Sequence, residues 1–240
     1  MLHGRSQEKL AGVVRDIGSQ FPDIAVHGYL ADLSNLQAVK SMAETVLAKH
    51  QIVDVLINNA GVLKTPKVIT KDGLDIRFVV NMLAPLYLTE QLLSLIPESG
   101  RILNLSSAAQ NPVDLAALRG DVKLSQDMEA YAQSKLAITM WSRLLGQELE
   151  SGPLVYSVNP GSLLGTNMVK EGFGMAGNDV NIGADILVRL CTEEFLGAPS
   201  GSYFDNDSGQ FGAPHPDALD DEKSKTVIEA VKVAINRATY

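Results

Sequence analysis

Short, uniformly apolar runs alternate with long amphipathic segments along this chain of 240 residues. Consecutive Val, Ile and Leu residues without polar alternation are typical of strands that are covered on both faces of a parallel sheet. Alternation of such strands with helices favours a doubly wound, Rossmann-like α/β fold of three layers, in a single domain spanning residues 1–240. The predicted strands are residues 24–29, 53–57, 101–105, 154–158 and 201–204.

The segments between these runs carry apolar residues at helical spacing. In the first long one Leu36, Val39 and Ala43 recur close to the helical period, and Ser34 is predicted as the N-cap. Pro85 lies inside the next predicted helix and predicts a kink or a break there. The predicted helices are residues 36–50, 74–96, 129–149, 178–190 and 220–237.

The charge balance and the cysteine content disfavour several classes of function. The formal net charge is -8 and no run of Lys or Arg occurs, which argues against nucleic-acid binding. The single cysteine, Cys191, cannot form an internal disulfide, which agrees with a cytoplasmic location. The N-terminus lacks the pattern of a signal peptide, and no stretch approaches the roughly 20 apolar residues that a membrane span needs.

Tyr131 and Lys135 lie four residues apart in the predicted helix 129–149, so their side chains share one face. A phenol with a pKa of about 10 is a poor base at neutral pH, but a neighbouring cation stabilises the phenolate and lowers that pKa. The pair therefore fits acid–base catalysis. The same spacing also occurs on exposed helix faces that have no catalytic role.

Small and polar residues follow two of the predicted strands. Directly after the strand 53–57 comes the tetrapeptide Asn58-Asn59-Ala60-Gly61, and Ser106-Ser107 follow the strand 101–105. Strand ends in such sheets face the ligand crevice, where small residues let a cofactor approach the backbone. A strand-ending turn and a helix cap are the alternatives without a ligand. The Gly-x-Ser-x-Gly elbow of hydrolases is absent around these serines, which disfavours a hydrolase nucleophile.

In their order along the chain these residues resemble the short-chain dehydrogenase/reductase family. The resemblance implies an oxidoreductase that interconverts an alcohol and a carbonyl compound by hydride transfer, with NADP or NAD as cofactor and with no metal. It extends from about Gly4 to the C-terminus and rests on Asn58-Asn59-Ala60-Gly61, Asn81, Ser107, Tyr131, Lys135 and Pro160-Gly161.

The resemblance assigns catalytic roles to four residues of this chain. Tyr131 would exchange a proton with the substrate oxygen, and Ser107 would hydrogen-bond that oxygen. Lys135 would lower the pKa of Tyr131 and hold the nicotinamide ribose. Asn81 would anchor a water in the proton relay.

The resemblance also implies where the cofactor lies. Asp32 and Leu33 would be near the adenine and Pro160-Gly161 beside the nicotinamide, with further contacts from Asn58-Asn59-Ala60-Gly61. Arg5 resembles the arginine that binds the 2′-phosphate of NADP, and no acidic residue ends that strand to favour the ribose hydroxyl of NAD. NADP is therefore the expected cofactor, and NAD is the alternative.

The separation of Ser107 from Tyr131, 24 positions, is longer than is usual in the family. It resembles the retinol-dehydrogenase-like and WW-domain-oxidoreductase-like members, which act on lipophilic or aromatic alcohols and carbonyls. Residues 111–128 are therefore expected to form part of the substrate wall. Residues 170–181, which contain three glycines, are predicted as a mobile lid, with a plain flexible loop as the alternative.

The sequence departs from the family in two places. The Thr-Gly-x-x-x-Gly-x-Gly turn, whose backbone amides hold the cofactor pyrophosphate, does not occur before Gly4. Relative to the family the first βα unit of about 30 to 35 residues is missing, which predicts a recorded start that is too late or a fragment of a longer enzyme. Thr166 lies one position beyond the usual threonine after Pro160-Gly161, so its contact to the nicotinamide is in question.

A second hypothesis is a catalytically silent family member that acts as a dimerisation or binding partner. The missing glycine turn favours this hypothesis, whereas the complete catalytic set favours the enzyme. Helices 74–96 and 129–149 correspond to those that commonly build dimers in the family. A homodimer or homotetramer is therefore expected.

Overall fold

The computed structural model describes residues 1–193 and 197–239, which form a mostly parallel α/β fold. Its strands are β1 (Leu2–Gly4), β2 (Gly28–Leu30), β3 (Val55–Asn58), β4 (Arg101–Leu105), β5 (Leu154–Asn159), β6 (Tyr203–Asp205) and β7 (Gln210–Gly212). They form two sheets, with the orders β1-β2 and β3-β4-β5-β6-β7. Neighbouring strands are parallel except β6 and β7, which are antiparallel.

Helices connect these strands and cover both faces of the larger sheet. Short helical turns of other types occur at Val79–Leu83 (π), Leu93–Leu95 (3-10) and Pro216–Leu219 (3-10). The α-helices are α1 (Gln7–Gln20), α2 (Leu36–Lys49), α3 (Ile76–Phe78), α4 (Ala84–Leu92), α5 (Leu115–Arg119), α6 (Asp127–Glu148), α7 (Asn167–Phe173), α8 (Asn181–Thr192) and α9 (Asp221–Thr239).

The two central strands of the larger sheet send alternate residues into two different cores. Ile102 of β4 and Val155 of β5 pack into the core that α4, α6 and α9 complete on one face. Leu103 and Tyr156 pack on the other face with Ile186 of α8. Because successive residues of a strand point to opposite faces, this alternation produces the three-layer arrangement predicted from the sequence.

The last helix, α9, packs against the core that α4 and α6 also build. Val227, Val231 and Ile235 of α9 are buried in the same core as α4 and α6. Lys232 also pairs with Glu90 of α4 at 3.2 Å. The predicted homodimer or homotetramer stays a prediction from the sequence.

The strand predictions are most accurate where the strands are fully buried. β4 agrees residue for residue, and the ends of β3, β5 and β6 differ by one or two residues. Of the predicted strand 24–29 only the last two residues belong to β2, because the exposed Ile24 lies outside the sheet. The predicted Rossmann-like α/β fold with a mostly parallel sheet is confirmed, and it differs in detail because β1 and β2 form a sheet of their own and β7 is antiparallel.

The predicted helix 74–96 is interrupted, as Pro85 predicts. A π-helix, Val79–Leu83, precedes α4 because the proline ring would clash in an α-helix with the Asn81 carbonyl four residues earlier. By length and composition alone the segment Ile76–Leu95 could cross a membrane, which differs from the expectation, but most of it is buried inside the fold like a core helix. The cap of α2 also differs from the prediction, because Asn35 and not Ser34 accepts from the helix backbone.

Candidate active site

Asn81 is held at the break in the helix before α4. Its side-chain oxygen accepts from the Val62 amide at 2.8 Å, and its side-chain nitrogen donates to the Val62 carbonyl at 3.0 Å. The same nitrogen donates to Ser134 Oγ at 2.9 Å. These bonds join the π-helix to the loop after β3 and to α6. Because Pro85 has no N–H, it cannot donate to the Asn81 backbone carbonyl.

Helix α6 brings Tyr131 and Lys135 to the same side, as the spacing predicts. Lys135 Nζ lies 5.5 Å from the centroid of the Tyr131 ring and donates to the Leu105 carbonyl at 2.6 Å. Ser106 fixes this part of α6 to the end of β4, because its hydroxyl donates to the Lys135 carbonyl at 3.0 Å. The end of one buried strand therefore sets the position of the lysine beside the tyrosine.

Burial determines the protonation of both side chains. Burial lowers the pKa of Lys135 to about 8 and raises the pKa of Tyr131, on which a hydrogen bond with Ser107 acts in the opposite direction. At neutral pH the tyrosine is thus a neutral phenol and the lysine is mostly charged. The pKa of Tyr131 is therefore raised and not lowered as expected, because desolvation outweighs the opposing hydrogen bond with Ser107.

Ser107 stands just beyond the end of β4, where its hydroxyl reaches Tyr131. The Ser107 hydroxyl accepts from the Ala109 amide at 3.1 Å. The Ser107 carbonyl accepts from Gln110 Nε2 at 2.9 Å and from the Tyr203 hydroxyl at 3.1 Å. Three hydrogen bonds therefore hold the short segment that presents the serine to the phenol.

A cavity of about 860 Å³ passes in front of these side chains. It crosses the carboxyl ends of β1, β3, β4 and β5, the place where doubly wound folds bind ligands. Ser107 lines it, together with most of the predicted cofactor contacts, namely Arg5, Asp32, Leu33, Asn59, Ala60, Gly61, Tyr131, Lys135, Pro160 and Gly161.

Asn58 is the predicted cofactor contact that the structure places elsewhere. Its side-chain nitrogen donates to Thr89 Oγ1 at 3.0 Å and to Asn104 Oδ1 at 2.7 Å, and Asn104 donates onward to Ser142 Oγ at 2.9 Å. Neighbouring residues of a strand point to opposite faces, so Asn58 faces α4 and α6 while Asn59 lines the cavity. The Asn58 side chain therefore supports the sheet and does not line the cavity.

Apolar side chains make up a large part of the cavity wall. Of the predicted substrate wall, residues 111–128, Met128 lines the cavity. Within the part of the chain that the structure describes, no three His, Cys, Asp or Glu side chains cluster in a way that could hold a metal ion. The apolar wall consists of Leu63, Ile76, Val80, Met128, Leu163, Leu164, Met168, Val169 and Phe173.

The segment predicted as a lid is partly helical. Helix α7 runs from Asn167 to Phe173, and Thr166 caps it by accepting from the Val169 amide at 3.4 Å. Asn178 then forms a bridge with Leu164, which ties the end of the segment to the cavity wall. Thr166 therefore lines the cavity and also starts the helix that covers it.

Three supporting residues have no signal in the sequence. Tyr203 donates to the Ser107 carbonyl, Asn104 bonds Asn58, and Ser134 accepts from Asn81. Ser134 directly precedes Lys135, and Asn104 lies in the strand just before Ser106-Ser107, but neither pattern indicates its bonding partner. The partners of Tyr203 and Asn104 are far from them in sequence, and only the sheet brings them together.

Sequence comparisons place the chain in a known family. A model of the short chain dehydrogenase family matches residues 1–175. Retinol dehydrogenase 13 of Homo sapiens is 30% identical, over 92% of this chain and 72% of its own length. The chloroplastic short-chain dehydrogenase TIC 32 A of Brassica napus is 33% identical, over 65% of this chain and 53% of its own length.

Solved structures agree on the fold. An uncharacterised protein from Mycobacterium paratuberculosis has a TM-score of 0.77 at 23% identity, covering 98% of this chain and 83% of that one. An NADPH-bound carbonyl reductase from chicken fatty liver has a TM-score of 0.64 at 19% identity, covering 89% and 86%. The retinol dehydrogenases among the sequence relatives agree with the predicted subgroup. The chain therefore belongs to the short-chain dehydrogenase family of oxidoreductases.

Proposed function

We propose that this chain is an NADP-dependent oxidoreductase that interconverts a lipophilic alcohol and the corresponding carbonyl compound. The observation that carries the proposal is the meeting of Ser107, Tyr131 and Lys135 at the wall of one large cavity. A cytoplasmic location and a homodimer or homotetramer remain predictions from the sequence.

The cavity fits a nicotinamide nucleotide at both of its nucleoside ends. Its volume of about 860 Å³ lies within the range of cofactor sites. A Cβ added at Gly61 would lie 3.5 Å from both Asn81 Oδ1 and Lys135 Nζ, so glycine keeps this part of the cavity clear. No Gly-rich turn of the family type occurs in the 240 residues, and the fit rests on the two nucleoside ends.

Arg5 supports NADP over NAD. Its side chain lines the cavity directly before α1, whose first amides Ser6 caps. A guanidinium beside a helix N-terminus favours an anionic group such as a 2′-phosphate. Asp32 also lines this end, and its carboxylate is the feature that would favour the ribose hydroxyl of NAD.

The protonation of the site favours carbonyl reduction. A bound reduced nicotinamide would supply the hydride to the carbonyl carbon. Tyr131 carries its proton at neutral pH because burial raises its pKa, so it donates that proton to the carbonyl oxygen while Ser107 holds the oxygen. The charged Lys135 stabilises the phenolate that remains, and a water on the Asn81 carbonyl would return the proton.

The apolar wall indicates the substrate class. Met128, Met168 and Phe173 face the cavity from α6 and α7. A flexible, apolar surface of this kind accommodates an extended hydrocarbon better than a polar sugar or acid. Retinol dehydrogenases are among the relatives, which supports a lipophilic alcohol or aldehyde as the substrate.

Nucleotide binding and turnover test the proposal together. NADPH and NADH are titrated into the purified chain by nicotinamide fluorescence, and retinal-like and aromatic aldehydes are then offered as substrates. We expect tighter binding of NADPH, and Tyr131→Phe should lower turnover by about 100- to 10,000-fold without weakening nucleotide binding. If the folded chain binds neither nucleotide, the oxidoreductase proposal fails and the silent binding partner replaces it.

A further inference from the structure

The turn between β6 and β7 reaches across to the segment that follows β5. We call Asp205, the last residue of β6, together with Asn206 and Asp207 the hairpin turn. We call residues 159–163 the cavity loop, because all five of them line the cavity. The hairpin turn belongs to none of the catalytic motifs. Its side chains nevertheless bond directly to the cavity loop.

Three residues of the cavity loop are held by the three side chains of the hairpin turn. Asp205 Oδ1 accepts from Asn159 Nδ2 at 2.8 Å. Asp207 Oδ1 accepts from the Ser162 amide at 2.7 Å, and Asp207 Oδ2 accepts from the Ser162 hydroxyl at 2.5 Å and from Asn159 Nδ2 at 2.9 Å. Asn206 Nδ2 donates to the Pro160 carbonyl at 2.9 Å. Ser162 therefore commits both of its donors to one carboxylate.

The Asp207 carboxylate is ionised in the folded chain. Partial burial acts to raise its pKa, but the hydrogen bonds from Ser162 and Asn159 outweigh burial and lower that pKa. An ionised carboxylate is an acceptor at both oxygens, and its hydrogen bonds are stronger than those of a neutral amide. Asp207 is therefore suited to hold several donors of the cavity loop at once.

The cavity loop needs such support because its backbone is strained. Gly161 has a φ of 122° and Leu163 has a φ of 54°, which is unfavourable for a residue with a side chain. Conformations of this kind persist only where surrounding bonds over-determine them, and they cluster at ligand sites. On the other side of the loop, Asn178 Nδ2 donates to the Ser162 carbonyl at 3.0 Å and the Asn178 amide donates to the Leu163 carbonyl at 2.7 Å.

We infer that Asp207 is a positioning residue, whose carboxylate holds the cavity loop in its strained conformation and so places the nicotinamide end of the cofactor against Tyr131. The part that concerns the cofactor rests on the proposed function, whereas the part that concerns the loop does not. Asp207 acts through Ser162 and Pro160–Gly161 and does not line the cavity. Its loss should therefore alter geometry at one end of the cavity and leave the other end intact.

Hydrogen exchange in the nucleotide-free chain tests the hold on the loop. Asp207→Ala should speed exchange of the Ser162 amide by about tenfold or more, because that amide loses its acceptor, and should speed exchange of the Gly161 and Leu163 amides as the loop loosens. Asp207→Asn keeps one acceptor oxygen at the same size and should give an intermediate increase. Asp217→Asn is the matched control, since the Asp217 carboxylate bonds Lys223 at the surface and should leave the loop unchanged.

Kinetics test the placement of the nicotinamide. In Asp207→Ala the turnover number with saturating NADPH should fall by about tenfold or more, since a small misplacement of reacting groups has effects of this size. The affinity for adenosine 2′,5′-bisphosphate, which occupies only the adenosine end, should be unchanged. Ser162→Ala removes the hydroxyl bond alone and should give a smaller fall, so a measurement remains if Asp207→Ala does not fold.

The two sets of data separate the possible failures. Unchanged exchange in the cavity loop of Asp207→Asn and Ser162→Ala overturns the hold on the loop. Faster exchange with unchanged turnover overturns the positioning role. An equal loss of affinity for adenosine 2′,5′-bisphosphate also overturns the positioning role, because the change caused by Asp207→Ala would then not be confined to the nicotinamide end of the cavity. If the wild-type chain turns over no carbonyl compound, the proposed function fails, and the exchange data alone decide the hold on the loop.

Discussion

The two sheets carry opposite ends of the cavity, and they differ in how much buried structure supports each of them. In the small sheet and its helix α1, Leu10 and Tyr29 are the large side chains that are buried. In the large sheet every residue of β4 is buried, and most of α6 is buried against it. Arg5 and Asp32, the proposed adenosine contacts, thus stand on a lightly packed unit, and the proposed catalytic residues stand on a heavily packed one.

The difference extends to the strand edges. β1 and β3 lie at the ends of their sheets in the part of the chain that the structure describes, and Ile57 of β3 is 40% exposed although its strand is apolar. Open edges of this kind are sites of local opening and of association. The end proposed to bind adenosine is therefore supported by less buried structure than the end that carries Tyr131 and Lys135.

The largest expected effect is on stability and concerns leucines of the two sheets. Leu103→Ala in β4 removes a fully buried side chain and should lower the free energy of unfolding by about 2–5 kcal/mol. Leu10→Ala in α1 should leave the main unfolding transition in place and speed hydrogen exchange in β1 and β2. Chemical denaturation followed by Trp141 fluorescence, with exchange measured in parallel, compares the two variants.

A single outcome would remove this contrast. If Leu10→Ala and Leu103→Ala lower the same cooperative transition by equal amounts, the small sheet unfolds together with the large one. The lightly packed unit would then share the stability of the whole fold, and the adenosine end would be as fixed as the catalytic end.

The same contrast explains how far the sequence leads to the structure. β4 is predicted residue for residue because it is buried on both faces and therefore uniformly apolar. The strand 24–29 is mostly wrong because the apolar Ile24 is exposed, and apolar content alone does not report burial. β7 has a single apolar residue among three and carries no pattern that would predict a strand.

The candidate site follows the same rule. The shared face of Tyr131 and Lys135 can be predicted because helical spacing is a local pattern. Pro85 predicts the helix break at which Asn81 lies. The face of the sheet to which the Asn58 side chain points depends on the strand register, and a shift of one residue reverses that face. The bond between Asp207 and Ser162 joins positions 45 residues apart, and no local pattern indicates such a pair.

A smaller effect is expected from the pH dependence of stability. Lys135 has a pKa of about 8 in the fold against 10.5 when unperturbed, because its charged form is buried. Below pH 8 Lys135 is mostly charged in the fold, so the loss of stability from burying that charge is present in full. Between pH 8 and 10.5 the folded chain has lost a proton that the unfolded chain retains, so stability should rise with pH, by about 1–3 kcal/mol.

Lys135→Met isolates this contribution from the other groups that titrate in alkali. Denaturant unfolding is measured at intervals from pH 7 to about 10.5 for both chains. The difference between wild type and Lys135→Met should shrink or change sign as the pH rises through this window. Parallel curves for the two chains would contradict a buried charge at Lys135. They would also weaken the claim that the heavily packed unit contains a lysine whose burial lowers stability.

The smallest expected effect concerns Arg5 at the adenosine end. Arg5→Leu should weaken NADPH binding by about tenfold, or about 1.4 kcal/mol, because a partly exposed charge pair contributes little more than this. NADH binding should be unchanged, and so should turnover at saturating NADPH, since the catalytic residues stand on the other sheet. Arg15→Leu, in helix α1 but outside the cavity, is the matched control for net charge. Equal losses for NADPH and NADH would mean that Arg5 does not read the 2′-phosphate, whereas a fall in turnover would mean that the two ends of the cavity are coupled.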